Sequence, residues 1–223
     1  YRLRRYTDKI QRVFLQLLKD RYQHGCDHLP KALVISAHYD DNYLGCGATR
    51  SKLLRSGWSV DEVVLFGGRG DPLDNRMDKV PLLDTVERVE DAITLYKPDR
   101  IYTHSAADLN VDHITCHNAV LTATRPIAVN PVTDYVSEVY CYETASSTEW
   151  NFTGRQFKPN VFEKVLEEDM QCKLDRLYVL YGSEMRQYPH PRSSESIMAM
   201  AVHWGGVIGA DYAEAFETVR VIR

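Results

Sequence analysis

The residues of this sequence that could do chemistry lie in two short clusters of histidine and aspartate. The first, residues 37–42 (AHYDDN), follows the apolar run of residues 32–35. The second, residues 108–113 (DLNVDH), comes after a strand-like run that ends in His104. An imidazole and a carboxylate two or three residues apart can reach one metal ion, because a tight turn lets alternate side chains converge. Two strand ends that each carry His and Asp therefore predict the two halves of one metal site.

Each cluster alone has a simpler explanation. Paired aspartates at a helix start usually cap the free N–H groups there. A single histidine after a strand is usually a hydrogen-bonded structural residue. The metal site is favoured because both clusters follow a predicted strand in the same chain.

Strand and helix patterns alternate along the chain. Apolar runs predict strands at residues 32–37, 60–66, 99–104, 136–143 and 218–222. Apolar positions at helical spacing predict helices at residues 7–24, 43–56, 80–96, 113–124, 162–180, 194–204 and 211–216. This order predicts an α/β fold with a Rossmann-like, mostly parallel sheet and helices on both faces.

Right-handed crossovers place the loops that follow parallel strands at one edge of the sheet, where open α/β folds bind their ligands. We therefore expect the metal site at the carboxyl ends of the strands. The residues expected at that edge are Asp40, Asp41, Asp74, His104 and His113.

Length and composition limit the class of protein. The 223 residues suit a single domain over residues 1–223, with an N-terminal amphipathic helix at about residues 7–24. The net charge of −4 argues against a nucleic-acid partner, and no apolar run is long enough for a membrane span. Five scattered cysteines without C-x-x-C spacing, and no visible secretory signal, predict a reducing, cytoplasmic location. The apolar stripe of the first helix would pack on the domain or on a second subunit, which leaves a homo-oligomer open.

The two clusters and their surroundings resemble the LmbE/PIG-L family of metal-dependent N-deacetylases. The first family motif, Ala-His-Pro-Asp-Asp-Glu, is similar to residues 37–42, and residues 44–48 (LGCGA) resemble the Leu-Gly-Cys-Gly-Gly type helix that follows it. The second motif, Thr-His and then Asp-Leu-Asn-x-Asp-His, is similar to residues 103–104 and 108–113. The resemblance covers roughly residues 30–223, with supporting segments at residues 74–78 and 190–193.

The resemblance implies one divalent ion, usually zinc, held by His38, Asp41 and His113. Three protein ligands leave a position for water, whose pKa zinc lowers to roughly 7, and Fe²⁺ could use the same ligands. The resemblance also implies that Asp40 is the general base and that Asp112 orients a histidine or the adjacent loop.

The implied reaction removes an acetyl group from an N-acetylated amino sugar or glycoconjugate. Asn110 stands where several sugar deacetylases of the family have a histidine thought to protonate the leaving amine. Because the resemblance implies that residues 190–193 (HPRS) lie near the active site, we expect His190 to be the acid, with His104 and His117 as weaker candidates. The expected substrate-binding residues are Arg76, Asn110 and Arg192, since an arginine fork suits a hydroxyl, carboxylate or phosphate.

Two alternatives stay open. An amidase for a different N-acyl substrate is compatible with Asn110 and with the short stretch of residues 67–79, which is either a true deletion or lacks residues. A non-catalytic member that binds a sugar or a partner is suggested by Asn42 and Asn110, which replace a Glu and a His of the family pattern. A nucleotide-binding Rossmann domain is disfavoured, since residues 45–47 (GCG) lack the G-x-G-x-x-G spacing.

Overall fold

The computed structural model describes residues 29–66, 76–125, 136–152 and 154–223. The helix predicted at residues 7–24 and the predicted edge residue Asp74 lie outside these ranges. Within them, six strands form one sheet in the order β2-β1-β3-β4-β6-β5. The strands are β1 (Lys31–Ser36), β2 (Ser59–Val64), β3 (Arg100–His104), β4 (Glu138–Tyr142), β5 (Val161–Val165) and β6 (Tyr212–Val221).

The first four strands are parallel, and the last two are antiparallel to their neighbours. Strand β1 pairs in parallel with β2 and β3, and β3 pairs in parallel with β4. Strand β6 runs antiparallel between β4 and β5. The predicted mostly parallel α/β sheet is confirmed. Strand β1 lies between β2 and β3, and its continuous apolar run is typical of a strand buried on both faces.

Helices cover both faces of this sheet. They are α1 (Asp41–Arg55), α2 (Leu82–Tyr96), α3 (Val111–Ala123), α4 (Glu167–Tyr181) and α5 (Ser194–Ile208). Leu33 and Ile35 of β1 share a core with α2 and α3, whereas Ala32 and Val34 face a second core that includes α1. Alternate residues of one strand thus serve opposite faces. Within the described part of the chain, no helix is long and apolar enough to span a bilayer.

At the antiparallel edge, one predicted helix starts too early and another is wrong. The helix predicted at residues 162–180 begins only at Glu167, after strand β5. The helix predicted at residues 211–216 is the first part of strand β6. Ala and Glu favour helices in isolation, but the pairing of β6 with strands on both sides overrides that weak preference.

Helix α1 contains a break that shapes the region next to the predicted site. Cys46 has non-helical backbone angles (φ −143°, ψ 26°). The N–H groups freed by the break, those of Ala48 and Thr49, donate to the carboxylate of Glu214 at 3.2 and 2.6 Å. This carboxylate also accepts from Lys173 Nζ at 2.7 Å. The second half of α1 therefore has its own cap, supplied by strand β6.

The two glycines that flank Cys46 allow close packing around the break. A Cβ at Gly45 would overlap the ring of Tyr142, and a Cβ at Gly47 would lie 2.9 Å from Cγ of Lys173. The Gly-Cys-Gly sequence is thus explained by neighbours that approach the helix backbone, with no need for a nucleotide phosphate.

Candidate metal centre

Three side chains from the first and second motifs converge at the carboxyl ends of β1 and β3. His38 lies two residues after β1, Asp41 is the first residue of α1, and His113 is in the first turn of α3. Nδ1 of His38 lies 3.1 Å from Oδ2 of Asp41, and Nε2 of His113 lies 3.2 Å from the same oxygen. The two nitrogens are 3.3 Å apart. The three atoms form a nearly equilateral triangle.

The triangle has the size that a small divalent ion requires. Zinc binds imidazole nitrogen and carboxylate oxygen at about 2.0–2.1 Å, so tetrahedral ligand atoms are about 3.3–3.4 Å apart. Two imidazoles and one carboxylate are also the ligand chemistry of catalytic zinc and of non-haem Fe²⁺. Asp41 is fully buried, and its Oδ1 has no hydrogen-bond partner within the described ranges. These observations fit a metal ion at this position.

A second carboxylate lies behind His113. Oδ2 of Asp108 lies 3.0 Å from Nδ1 of His113. Asp108 is in turn fixed by the hydroxyls of Ser147 and Thr148 and by the backbone N–H of Asn110. A carboxylate on the outer nitrogen orients an imidazole so that its other nitrogen faces the ion. The sequence motif gave Asp108 no role, although its place five residues before a predicted ligand was a usable signal.

Asp112 lies behind His38 in the corresponding way. Its Oδ2 lies 3.2 Å from Nε2 of His38, and its Oδ1 accepts the backbone N–H of Met77 at 3.0 Å. Each histidine of the triangle therefore has one nitrogen at the centre and the other at a carboxylate.

Asp40 lies next to the triangle but points at a different partner. Although it is the N-cap residue of α1, its side chain makes no cap hydrogen bond. Its Oδ2 instead accepts from Nη1 of Arg192 at 2.7 Å, and Nε of Arg192 donates to Oγ of Ser146 at 2.7 Å. Burial raises the pKa of Asp40 above its ordinary value, the nearby Asp41 charge adds to the rise, and Arg192 opposes it. A buried carboxyl with a raised pKa suits proton transfer near neutral pH.

The charges of the triangle favour a cation at its centre. Burial opposes a charge on His113, yet Asp41 and Asp108 outweigh it and raise the pKa of His113 to about 10. Burial also opposes ionisation of Asp41, but His113 and His104 hold the pKa of that carboxyl well below its ordinary value. A proton or a metal ion would meet the same attraction.

His104 is buried against the triangle but serves as a support. Its ring stacks on His113 with centroids 4.0 Å apart. Its Nε2 accepts the N–H of Ala37 at 3.0 Å, and its Nδ1 lies 3.2 Å from Oγ1 of Thr144. Burial, with the His113 charge, lowers the pKa of His104 to about 3. Both of its ring nitrogens are engaged, so His38 fits better than His104 as the second imidazole ligand.

Three other residues singled out in the sequence have hydrogen-bond partners outside the triangle. Asn110 is the N-cap of α3, and its side-chain oxygen accepts the N–H of Asp112 at 2.9 Å. Arg76 is exposed, and its carbonyl accepts the N–H of Lys79. His117 is buried behind His104, whose carbonyl lies 2.8 Å from its Nδ1.

His190 is linked to the site through Arg192. Its Nδ1 accepts the backbone N–H of Arg192 at 3.1 Å, and its ring meets Trp150 edge-on with centroids 5.8 Å apart. A neutral His190 with this contact carries its proton on Nε2. The guanidinium of Arg192, which is predicted to bind substrate, contacts Asp40.

Asn42 does not contact the triangle. Its amide donates to Glu62 of β2 at 2.8 Å, and its oxygen accepts the N–H of Tyr43 at 2.7 Å. Asn42 therefore gives little support to the hypothesis that this protein is non-catalytic.

No protein-family model matches this chain, but a curated protein is similar to it. The uncharacterized deacetylase YaiS of Escherichia coli K12 is 29% identical over 176 residues, covering 65% of this chain and 87% of that protein.

Solved structures share the fold at low sequence identity. The N,N'-diacetylchitobiose deacetylase from Pyrococcus horikoshii superposes with a TM-score of 0.62 at 16% identity, covering 94% of this chain and 92% of that one. GalB, the 4-carboxy-2-hydroxymuconate hydratase from Pseudomonas putida KT2440, gives 0.64 at 20% identity, covering 87% and 99%. Since one neighbour is a deacetylase and the other a hydratase, the reaction has to be inferred from the site.

Proposed function

We propose that this chain is a metal-dependent hydrolase that removes an acetyl group from an N-acetylated amino sugar or glycoconjugate, with a different N-acyl group as the alternative. Its similarity to a deacetylase of Escherichia coli and the fold that it shares with N,N'-diacetylchitobiose deacetylase support this proposal. The observation that carries this proposal is the triangle of His38 Nδ1, Asp41 Oδ2 and His113 Nε2, with the Asp40 carboxyl beside it. Three ligands with room for water are typical of catalytic zinc, whereas structural zinc has four protein ligands.

The residues of the triangle would bind the metal ion, and the neighbouring Asp40 would take part in proton transfer. When bound, a divalent ion such as Zn²⁺ or Fe²⁺ would lower the pKa of a coordinated water and polarise the amide carbonyl. Asp40 would accept the proton of the attacking water. Arg192 holds Oδ2 of this carboxyl, so Oδ1 would be the oxygen that takes the proton.

The leaving amine needs a proton, and His190 is our proposed donor. Its Nδ1 accepts from the Arg192 backbone, which leaves the proton of the neutral ring on Nε2. Asn110 cannot donate in this way, because its amide is not acidic. His190→Gln should then lower kcat more than it raises KM.

Residues outside the triangle would bind the substrate and orient one ligand. We propose that Arg76, which is exposed, and the amide nitrogen of Asn110 contact the substrate. Asp112 would orient His38 through the contact at 3.2 Å. A single cytoplasmic domain that acts on a small N-acyl amino sugar, with no nucleic-acid partner, fits the composition; a homo-oligomer stays a prediction.

The first test combines metal content with turnover. Protein purified without added metal, beside an Asp41→Ala variant, is measured by elemental analysis and then assayed for acetate release from N-acetylglucosamine and its glycosides. We expect about one divalent ion per chain and acetate release, both lost in the variant. Metal-loaded protein that releases no acid from any N-acyl amino sugar would contradict the proposal, and hydration of an unsaturated acid by the same protein would point to the chemistry of GalB.

A further inference from the structure

A cavity of about 80 Å³ lies beneath helix α5, between that helix, the end of β4 and the start of β6. Its wall includes residues close in sequence to Asp40 and Arg192, whose side chains form an ion pair. Leu44 lines the cavity and donates its N–H to the carbonyl of Asp40 at 2.9 Å. Pro191 also lines it and directly precedes Arg192. The cavity wall therefore lies one helical turn from Asp40 along α1 and next in sequence to His190 and Arg192.

The wall of this cavity is mainly apolar. Ile197, Met200, Ala201 and Trp204 of α5 supply one side, and Leu44 of α1 lies in the wall with them. A space of about 80 Å³ is several times what one water molecule needs, roughly 10–15 Å³. It can hold a short hydrocarbon chain.

The polar groups in the wall already have protein partners. Glu143 accepts from Nε1 of Trp204 at 2.5 Å, and Lys173 binds Glu214 at 2.7 Å. Both oxygens of Glu149 accept backbone N–H groups, and Oγ of Ser196 accepts from Ser193. Burial also raises the pKa of Glu143 to about 7, against the hydrogen bond from Trp204.

An occupant with many hydroxyl groups would fit poorly between such walls. Each hydroxyl that loses water without gaining a partner costs free energy, and here the wall groups are engaged with one another. A hydrocarbon chain would leave those pairs intact and remove apolar surface from water.

We propose that this cavity binds the N-acyl chain of the substrate and favours chains longer than acetyl. The inference rests on the proposed function, and it names the substrate class: N-acyl amino sugars with a short fatty acyl group. Acetyl substrates would still be hydrolysed, but with a lower kcat/KM because they leave the cavity unfilled.

The test is a chain-length series. N-acetyl-, N-butanoyl- and N-hexanoyl-D-glucosamine are assayed with metal-loaded protein, and kcat/KM should rise about fourfold for each methylene that the cavity buries. Ala201→Leu fills the cavity and should abolish the preference for longer chains. Val202→Leu is the matched control, because Val202 lies on the same helix, is half exposed and is outside the lining.

A second variant and a binding measurement separate the possible results. Met200→Trp also narrows the cavity, but from a partly exposed position. It replaces Ala201→Leu in the test if Ala201→Leu lowers the melting temperature. Binding of N-hexanoyl-D-glucosamine is followed by the fluorescence of Trp204, which Trp204→Phe assigns. Acetyl turnover with no chain-length dependence would overturn the cavity inference and leave the proposed function intact. Chain-length-dependent binding without turnover of any substrate would overturn the proposed function and support the cavity as an acyl site.

Discussion

Two buried clusters of ionisable side chains contact helix α1, one at its start and one at its break. The metal-centre cluster consists of His38, Asp41 and His113, and the Lys173 cluster of Lys173 and Glu214. In the Lys173 cluster, the ammonium has two acceptors, and the carboxylate accepts two backbone N–H groups besides it. In the metal-centre cluster, three acceptor-capable atoms lie within 3.1–3.3 Å of one another.

The difference shows how a self-sufficient ionic cluster can be told from one that suits a bound cation. The Lys173 cluster contains its own cation and satisfies its polar atoms, so it needs nothing from outside. The metal-centre cluster has more acceptors than donors, and Asp41 Oδ1 is buried without a hydrogen-bond partner within the described ranges. A cluster of this kind gains stability by taking up a cation, because buried unpaired charge is costly.

The largest expected effect is on turnover. Asp40→Asn should lower kcat by about 10²–10⁴-fold, the usual contribution of a general base, while zinc content stays at the wild-type level. The measurement is acetate release together with elemental analysis. Asp84→Asn, an exposed position at the start of α2, is the control. Full activity of the Asp40 variant would remove the base assignment.

The second prediction concerns the Lys173 cluster, where we expect a loss of stability rather than of turnover. Lys173→Met leaves Glu214 buried without its cation, so the free energy of unfolding should fall by about 3–5 kcal/mol in urea denaturation. Zinc bound per folded chain should not change. Lys164→Met, at an exposed position of β5, should change stability by no more than about 0.5 kcal/mol. A loss of zinc from folded Lys173→Met protein would contradict the view that the Lys173 cluster stabilises the fold without contributing to metal binding.

The third prediction tests the carboxylates behind the histidines. Asp108→Asn and Asp112→Asn should each weaken zinc binding by about 10–100-fold, because the imidazoles lose their orienting partner. Competition with a chromogenic chelator measures the affinity. Unchanged affinity in both variants would mean that the contacts at 3.0 and 3.2 Å do not position the ligands.

The smallest expected effect is a pH dependence of the metal-free protein. The pKa of His113, raised to about 10 in the folded chain, is about 6.5 when unfolded. Protonated His113 therefore stabilises the fold fully below about pH 6.5, and this contribution is lost as the pH rises toward 10. Melting temperatures of metal-free protein should fall over that range, whereas His113→Gln should show a weaker fall. Equal slopes for the two proteins would count against the charge balance assigned to the cluster.

The sequence patterns predicted the parallel half of the fold and two His/Asp clusters at strand ends, and the resemblance to the LmbE/PIG-L family implied which three of these residues meet at the triangle. Apolar runs, turns and two spaced motifs act over short distances, so they place His38, Asp41 and His113 at strand ends. The prediction failed where partners come from far along the chain. Residues 211–216, the first part of strand β6, were predicted as a helix because only pairing with β4 and β5 makes them extended. The Arg192–Asp40 contact joins residues 152 positions apart.

The carboxylates behind His38 and His113 have a consequence for how the site would take up its ion. Each carboxylate fixes the orientation of one imidazole ring before the ion binds. Without it, the ring would lose its rotational freedom on binding, at roughly 1 kcal/mol of conformational entropy per side chain. Folding has already met that cost through the hydroxyls of Ser147 and Thr148 and the backbone of Met77. Metal capture should therefore proceed as docking into a rigid receptor, with little rearrangement and little loss of disorder in the protein.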